Sequence, residues 1–240
     1  MQIEDEMDVL ATRVLQYRSD SGAVKDVTLT VFAPRKTDQD DWECGFQFSP
    51  PPNQRTIHVR GVDAIQALLS CLTIARSYIE HPTEERSSWR GMVHAGLPRF
   101  AEKPAAYQRP SVPPPEENPG GLEPLAVGTL DCPDETGRSR ELDLTVYKPF
   151  RADDGTWKCA FVLGSPLDEP VRHGTGEDFI EALLDGFALA RATYEAMVPE
   201  GWEAPLSDEL LGPTSLPYKV GRSYGMEPSR DIGMPDFSVA

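Results

Sequence analysis

Val27, Leu29 and Val31 alternate with Thr28, Thr30 and Phe32, the period-two pattern of a strand with one buried face. A strand over roughly 10–18 and a Ser19–Gly22 turn precede it. A polar stretch around Asp38–Asp41 follows, and alternation resumes at Trp42, Cys44, Phe46 and Phe48. A short strand near 55–60 ends at Gly61. The period then changes. Ile65, Leu68, Leu69, Leu72 and Ile79 recur at helical spacing, and Asp63 with Gln66 has the spacing of an N-terminal capping box.

The same pattern returns 115 residues later, with Leu142, Leu144 and Val146, then Trp157, Cys159, Phe161 and Leu163. Its helix carries Ile180, Leu183, Leu184, Phe187 and Tyr194 behind an Asp178/Glu181 cap. In register and without a gap, 18 of the 49 positions from Thr28 to Arg76 are identical to those from Asp143 to Arg191. The chain is therefore a tandem duplication, and the fold expected is α+β. Each copy is a small antiparallel sheet of three to four strands followed by one packed helix. The two copies are expected to form a pseudo-twofold pair. On the sheet face away from the helix, Gly45 and Gln47 become the more apolar Ala160 and Val162, beside Phe32 and Tyr147. That face is the expected junction.

The first repeat is assigned to 8–99, a Pro-rich linker to 100–121, the second repeat to 122–198 and a Pro/Gly-rich C-terminal arm to 199–240. The linker, with Pro113–Pro115 at its centre, should be extended and semi-rigid. For the arm, disorder, wrapping over the domain and partner binding all remain open.

Charge narrows the function classes. The net charge is -16, and residues 101–240 hold 25 acidic against 12 basic side chains. Such a surface disfavours nucleic acid and anionic membranes and favours a basic protein partner. The opening MQIEDEMDVL lacks the basic and apolar regions of a signal peptide, and no apolar run reaches membrane-spanning length. A cytoplasmic location is expected, and Cys44, Cys71, Cys132 and Cys159 are expected to be buried thiols.

Candidate chemistry is sparse. His58 and His173 occupy equal positions and could share a site across a pseudo-dimer, but ligand-spaced Cys, Asp or Glu are missing around them. Local hydrogen bonding is the expected role. His173-Gly174-Thr175-Gly176 precedes a helix, yet Phe179 stands where a dinucleotide fingerprint needs its third glycine. No cofactor, metal or catalytic residue is expected. The candidate partner-binding residues are Asp153, Asp154, Asp168, Glu169, Tyr218 and Tyr224.

Trp42-x-Cys44-x-Phe46, then Gly61-Val62-Asp63-x-x-Gln66-Ala67-Leu68, with Trp89 and Gly96-Leu97-Pro98 further on, resembles an uncharacterised bacterial domain family. Copy two keeps Trp157, Cys159, Gly176 and Asp178, replaces the Gln by Glu181 and blurs the last motif to Leu216-Pro217. The resemblance implies a fold and transfers no catalytic residue. By analogy with small acidic inhibitors, the expected function is a non-catalytic immunity protein that occludes a bacterial toxin. The alternatives are a scaffold for other host proteins, or a small-ligand binder or enzyme using the inter-repeat cleft.

Overall fold

The computed structural model describes residues 7–18, 22–49, 55–80, 87–88, 95–100, 111–112, 114, 121–133, 138–165, 169–198, 216–220 and 223–226. Most of the Pro-rich linker, Trp89 and much of the arm lie outside the described residues. The first repeat contributes β1 (Val9–Arg18), β2 (Val24–Phe32), β3 (Arg35–Lys36), β4 (Trp42–Ser49), β5 (Ile57–Gly61) and α1 (Ala64–Glu80). Two-residue strands β6 (Ser87–Ser88) and β7 (Arg99–Phe100) follow. The second repeat contributes β8 (Pro124–Pro133), β9 (Ser139–Tyr147), β10 (Phe150–Arg151), β11 (Trp157–Leu163), β12 (Arg172–Gly176) and α2 (Phe179–Met197). Strands β13 (Tyr218–Val220) and β14 (Ser223–Met226) come from the arm.

Both main sheets are antiparallel and share one topology, as expected. In the first, β6, β1, β2 and β4 lie side by side, with β3 and β5 also pairing with β4. In the second, β8, β9 and β11 lie side by side, and β10 and β12 pair with β11. Registers coincide: Trp42 faces Gly61, and Trp157 faces Gly176. Even the irregularity in the first strand is duplicated, at Val9/Ala11 and Pro124/Ala126.

The helix caps form as their spacing predicts. Asp63 accepts from the Gln66 N–H (2.7 Å) while the Gln66 side chain accepts from the Val62 N–H (2.8 Å). Asp178 and Glu181 repeat this at 2.8 Å each, with Glu181 reaching the Glu177 N–H. Gly61 and Gly176 let each helix start pass close over its sheet. A Cβ there would lie 2.4 Å from the Ala67 nitrogen, or 2.2 Å from that of Ala182.

The copies do pack together, but through a different surface from the one the sequence suggested. Thirteen of the 17 residues of α1, and 13 of the 19 of α2, are buried, more than one sheet can cover. The remainder is covered by the other copy, since α1 touches β8 and α2 touches β1. One continuous core thus runs through both repeats, from Leu15 and Leu29 to Leu130 and Tyr194. Arg13 of β1 fixes the junction. It donates to the Asp178 carboxylate at 2.6 and 2.8 Å and to the carbonyls of Ala95 and Gly96 at 3.1 and 3.0 Å.

The outer sheet faces stay within their own repeats. Tyr147, Ala160 and Val162 are closed over by Val171 and Leu122. In copy one, Phe32, Gly45, Met7 and Thr56 meet at the equivalent four positions, those of Tyr147, Ala160, Leu122 and Val171. The local N-terminal segment is long enough to cover this small apolar patch, so a second copy is not needed there.

A second duplicated device extends past each helix. Arg76 donates to Glu80 (2.5 Å) and to the Leu97 carbonyl (2.7 Å), and Glu80 accepts from the Ala95 N–H (2.9 Å). Arg191 likewise donates to Glu195 and to the Leu216 carbonyl, both at 2.9 Å. Leu216-Pro217 is therefore the structural twin of Leu97-Pro98, and the pattern of the second repeat runs into the arm. The strands after these motifs meet, because β13 pairs with β14 and β14 pairs with β7.

Candidate functional site

The turn between β10 and β11 borders an open concavity that carries three carboxylates. Gly155 sits at φ 85°, a left-handed position that glycine adopts without strain. Its twin is Asp40, at φ 71°. The turn leaves Asp153 and Asp154 exposed. The Thr156 N–H donates to Asp154 at 2.9 Å, and this bond, helped by the charge of Lys158, holds the carboxyl below its ordinary pKa. Beside it, the capping geometry of α2 presents Glu177 and Glu181. Together with Arg151, Thr156 and Thr175 they border an open concavity of about 670 Å³.

The first repeat shows what this arrangement replaces. At the equivalent positions Lys36 pairs with Asp40 at 2.6 Å, and Arg60 pairs with Asp41 at 3.8 Å and donates to Gln39 at 2.8 Å. Val62 and Gln66 stand where copy two has Glu177 and Glu181, Gln39 where it has Asp154, and Arg60 where it has Thr175. The first rim balances its own charge. The second carries the carboxylates of Asp154, Glu177 and Glu181, with Arg151 and Lys158 as basic neighbours.

Of the residues singled out in the sequence, Asp154 lines this concavity, and Asp153 is exposed next to it in the turn. Glu169 is exposed in the loop before β12, beside a different pocket. Asp168 lies outside the described residues. Tyr218 and Tyr224 have backbones in β13 and β14, while their side chains lie outside the described residues. Glu177 and Glu181 were missed. Their signal was present in the alignment at a shift of 115 residues, as two neutral positions, Val62 and Gln66, that gained charge in copy two.

The histidines occupy separate sheets and share no site. His58 lies 3.1 Å from Glu43, which also accepts from Arg35 at 3.0 and 3.2 Å. Burial disfavours the charge of Glu43, but the hydrogen bonds and charges of Arg35 and His58 outweigh it and lower the carboxyl pKa. His173 is buried with its ring edge-on to Phe150, and Phe150 stands where copy one has Arg35. The cysteines behave as expected, all four being buried and free. Burial raises the Cys71 thiol pKa, as does the adjacent Cys44, and burial likewise raises that of Cys159.

Residues 11–99 match the family model described as Domain of unknown function (DUF6968). The first repeat is thus similar to an uncharacterised domain family, in line with the resemblance carried by its Trp-x-Cys-x-Phe strand. The match spans the DUF6968-like sheet, the α1 helix and the Leu97-Pro98 motif that Arg76 holds. No curated protein and no solved structure matches the chain. No helix among the described residues is long and apolar enough to cross a membrane.

Proposed function

We propose that this is a non-catalytic, acidic protein-binding module of the immunity type, which neutralises a bacterial toxin by covering a basic substrate cleft. The observation that supports it most is the asymmetry between twin rims. Duplication supplied two equal scaffolds, and one of them carries Asp154, Glu177 and Glu181 where the other has the neutral Gln39, Val62 and Gln66. An acidic surface on a rigid turn and helix start raises the association rate with a basic partner. Binding of this kind needs complementary charge and shape, and no reacting group.

The test is capture of the partner from the native host, followed by growth assays with the captured protein expressed alone and with this chain. The expected result is a toxic protein with a basic face, whose toxicity the chain suppresses. A captured partner that is harmless, or toxicity that co-expression leaves intact, removes the immunity reading. The variant carrying Asp154→Gln, Glu177→Val and Glu181→Gln gives copy two the residues of copy one at these positions. It should slow association roughly tenfold at low ionic strength and differ little at high salt. Stopped-flow or surface-plasmon measurements of the association rate would show this.

A further inference from the structure

A second asymmetry concerns the far end of the helix. In the first repeat the ring of Phe46 meets those of Phe48 and Tyr78 edge-on, each at 5.7 Å between centroids. In the second repeat Leu163 and Thr193 take the places of Phe48 and Tyr78, and Arg172 takes the place of Ile57. Leu163 and Thr193, the smaller twins of Phe48 and Tyr78, line a pocket of about 270 Å³. Phe161, Leu163 and Met197 give it apolar walls, with Thr193, Arg172 and Glu169 as polar lining.

Arg172 is the unusual member. It pairs with Phe161 across β11 and β12, so its side chain shares the helix-facing side of the sheet, where Ile57 packs against the core in copy one. Its Nε is buried and has no hydrogen-bond partner among the described residues. A buried guanidinium donor without an acceptor is costly, and a bound carboxylate would supply one. Thr193 already donates its hydroxyl proton to the Leu189 carbonyl (2.8 Å) and can accept a further bond. Glu169 adds a negative charge at the same pocket, which would repel a simple acid.

We propose that this pocket binds an apolar α-amino acid. Its carboxylate would meet Arg172, its ammonium group would face Glu169, and its aliphatic side chain would lie against Phe161, Leu163 and Met197. The pocket lies just below the volumes typical of drug-sized ligands, which start at about 300 Å³, so a side chain of leucine size fits best. The proposal concerns a site remote from the acidic rim and does not depend on the protein-binding reading.

Titration calorimetry of the full chain with L-leucine, 4-methylpentanoate and 3-methylbutylamine tests it. Leucine should bind saturably, and each analogue, lacking one charged group, should bind at least roughly tenfold more weakly. Arg172→Ile restores the residue of the twin and should abolish binding. Leu163→Phe with Thr193→Tyr should also abolish it by filling the pocket while leaving the guanidinium in place. Both replacements exist in the first repeat, and circular dichroism verifies folding. The exposed Glu169→Gln variant, which leaves the core untouched, should lose the preference for leucine over 4-methylpentanoate. No saturable leucine binding overturns the proposal. So does equal binding of 4-methylpentanoate to the unmodified chain, or unchanged leucine binding by the pocket-filled variant.

Discussion

Asp63 and Asp178 hold the same N-cap position and make the same bond to their helices, yet their surroundings differ. Asp178 meets Arg13 from the other repeat. At the place of Arg13, the second repeat has Gly128. Burial therefore raises the pKa of Asp63 above its ordinary value, partly offset by the N–H groups of Gln66 and Ile65. Asn caps a helix about as well as Asp, so Asp63→Asn should change stability by less than about 1 kcal/mol at neutral pH. Asp178→Asn strands the buried Arg13 charge and should cost about 3 kcal/mol in urea unfolding. Glu43 titrates in the opposite sense from Asp63. Its lowered pKa means its contribution to stability is complete above the ordinary carboxylate range and is lost as pH falls through the folded value. Replacing Glu43 by Gln should flatten the acid limb of the stability curve, whereas Asp63→Asn should remove a loss of stability on raising pH through the carboxylate range.

At the level of elements, each helix is held at both ends. Its start is tied by the reciprocal cap and by the glycine that allows the sheet to approach. Gly61→Ala or Gly176→Ala would force a methyl group into helix backbone and should destabilise by about 2 kcal/mol, read from the shift in denaturant midpoint. Its end is tied by the Arg–Glu pair that captures a Leu-Pro carbonyl. Arg191→Met should free the Leu216 carbonyl and speed amide hydrogen exchange through β13 and β14, with little change in the first sheet. The helix starts were legible because a cap is a local matter of spacing. The Leu216-Pro217 anchor was only faintly legible, since its offset from the first copy is 119 residues instead of 115 and its meaning depends on Arg191.

For the whole molecule, the shared core makes the two repeats a single cooperative unit. Each helix is sandwiched between its own sheet and the first strand of the other repeat, and Arg13 links β1 to the α2 start. Thermal unfolding should show one transition, with circular dichroism and tryptophan fluorescence coincident; two separated transitions would mean that the repeats are independent. The twins then act as internal controls for one another. Where copy one has the neutral Gln39, Val62 and Gln66, copy two has carboxylates, and where copy one has Tyr78 and Phe48, copy two has Thr193 and Leu163 lining a pocket with Phe161.

The duplication, the strand-and-helix order, the caps and the burial of the four cysteines followed from the sequence by itself. Each depends on periodicity or on residues within a few positions of one another, so local patterns suffice. Tertiary structure decided which surfaces the copies use, because helix residues such as Ala67 and Ala75 do not reveal whether a neighbour covers them. It also decided which changed residues converge. Asp154 and Glu177 are distant in the chain, as are Phe161 and Thr193, and only the packing of α2 against β11 and β12 makes each pair line one concavity.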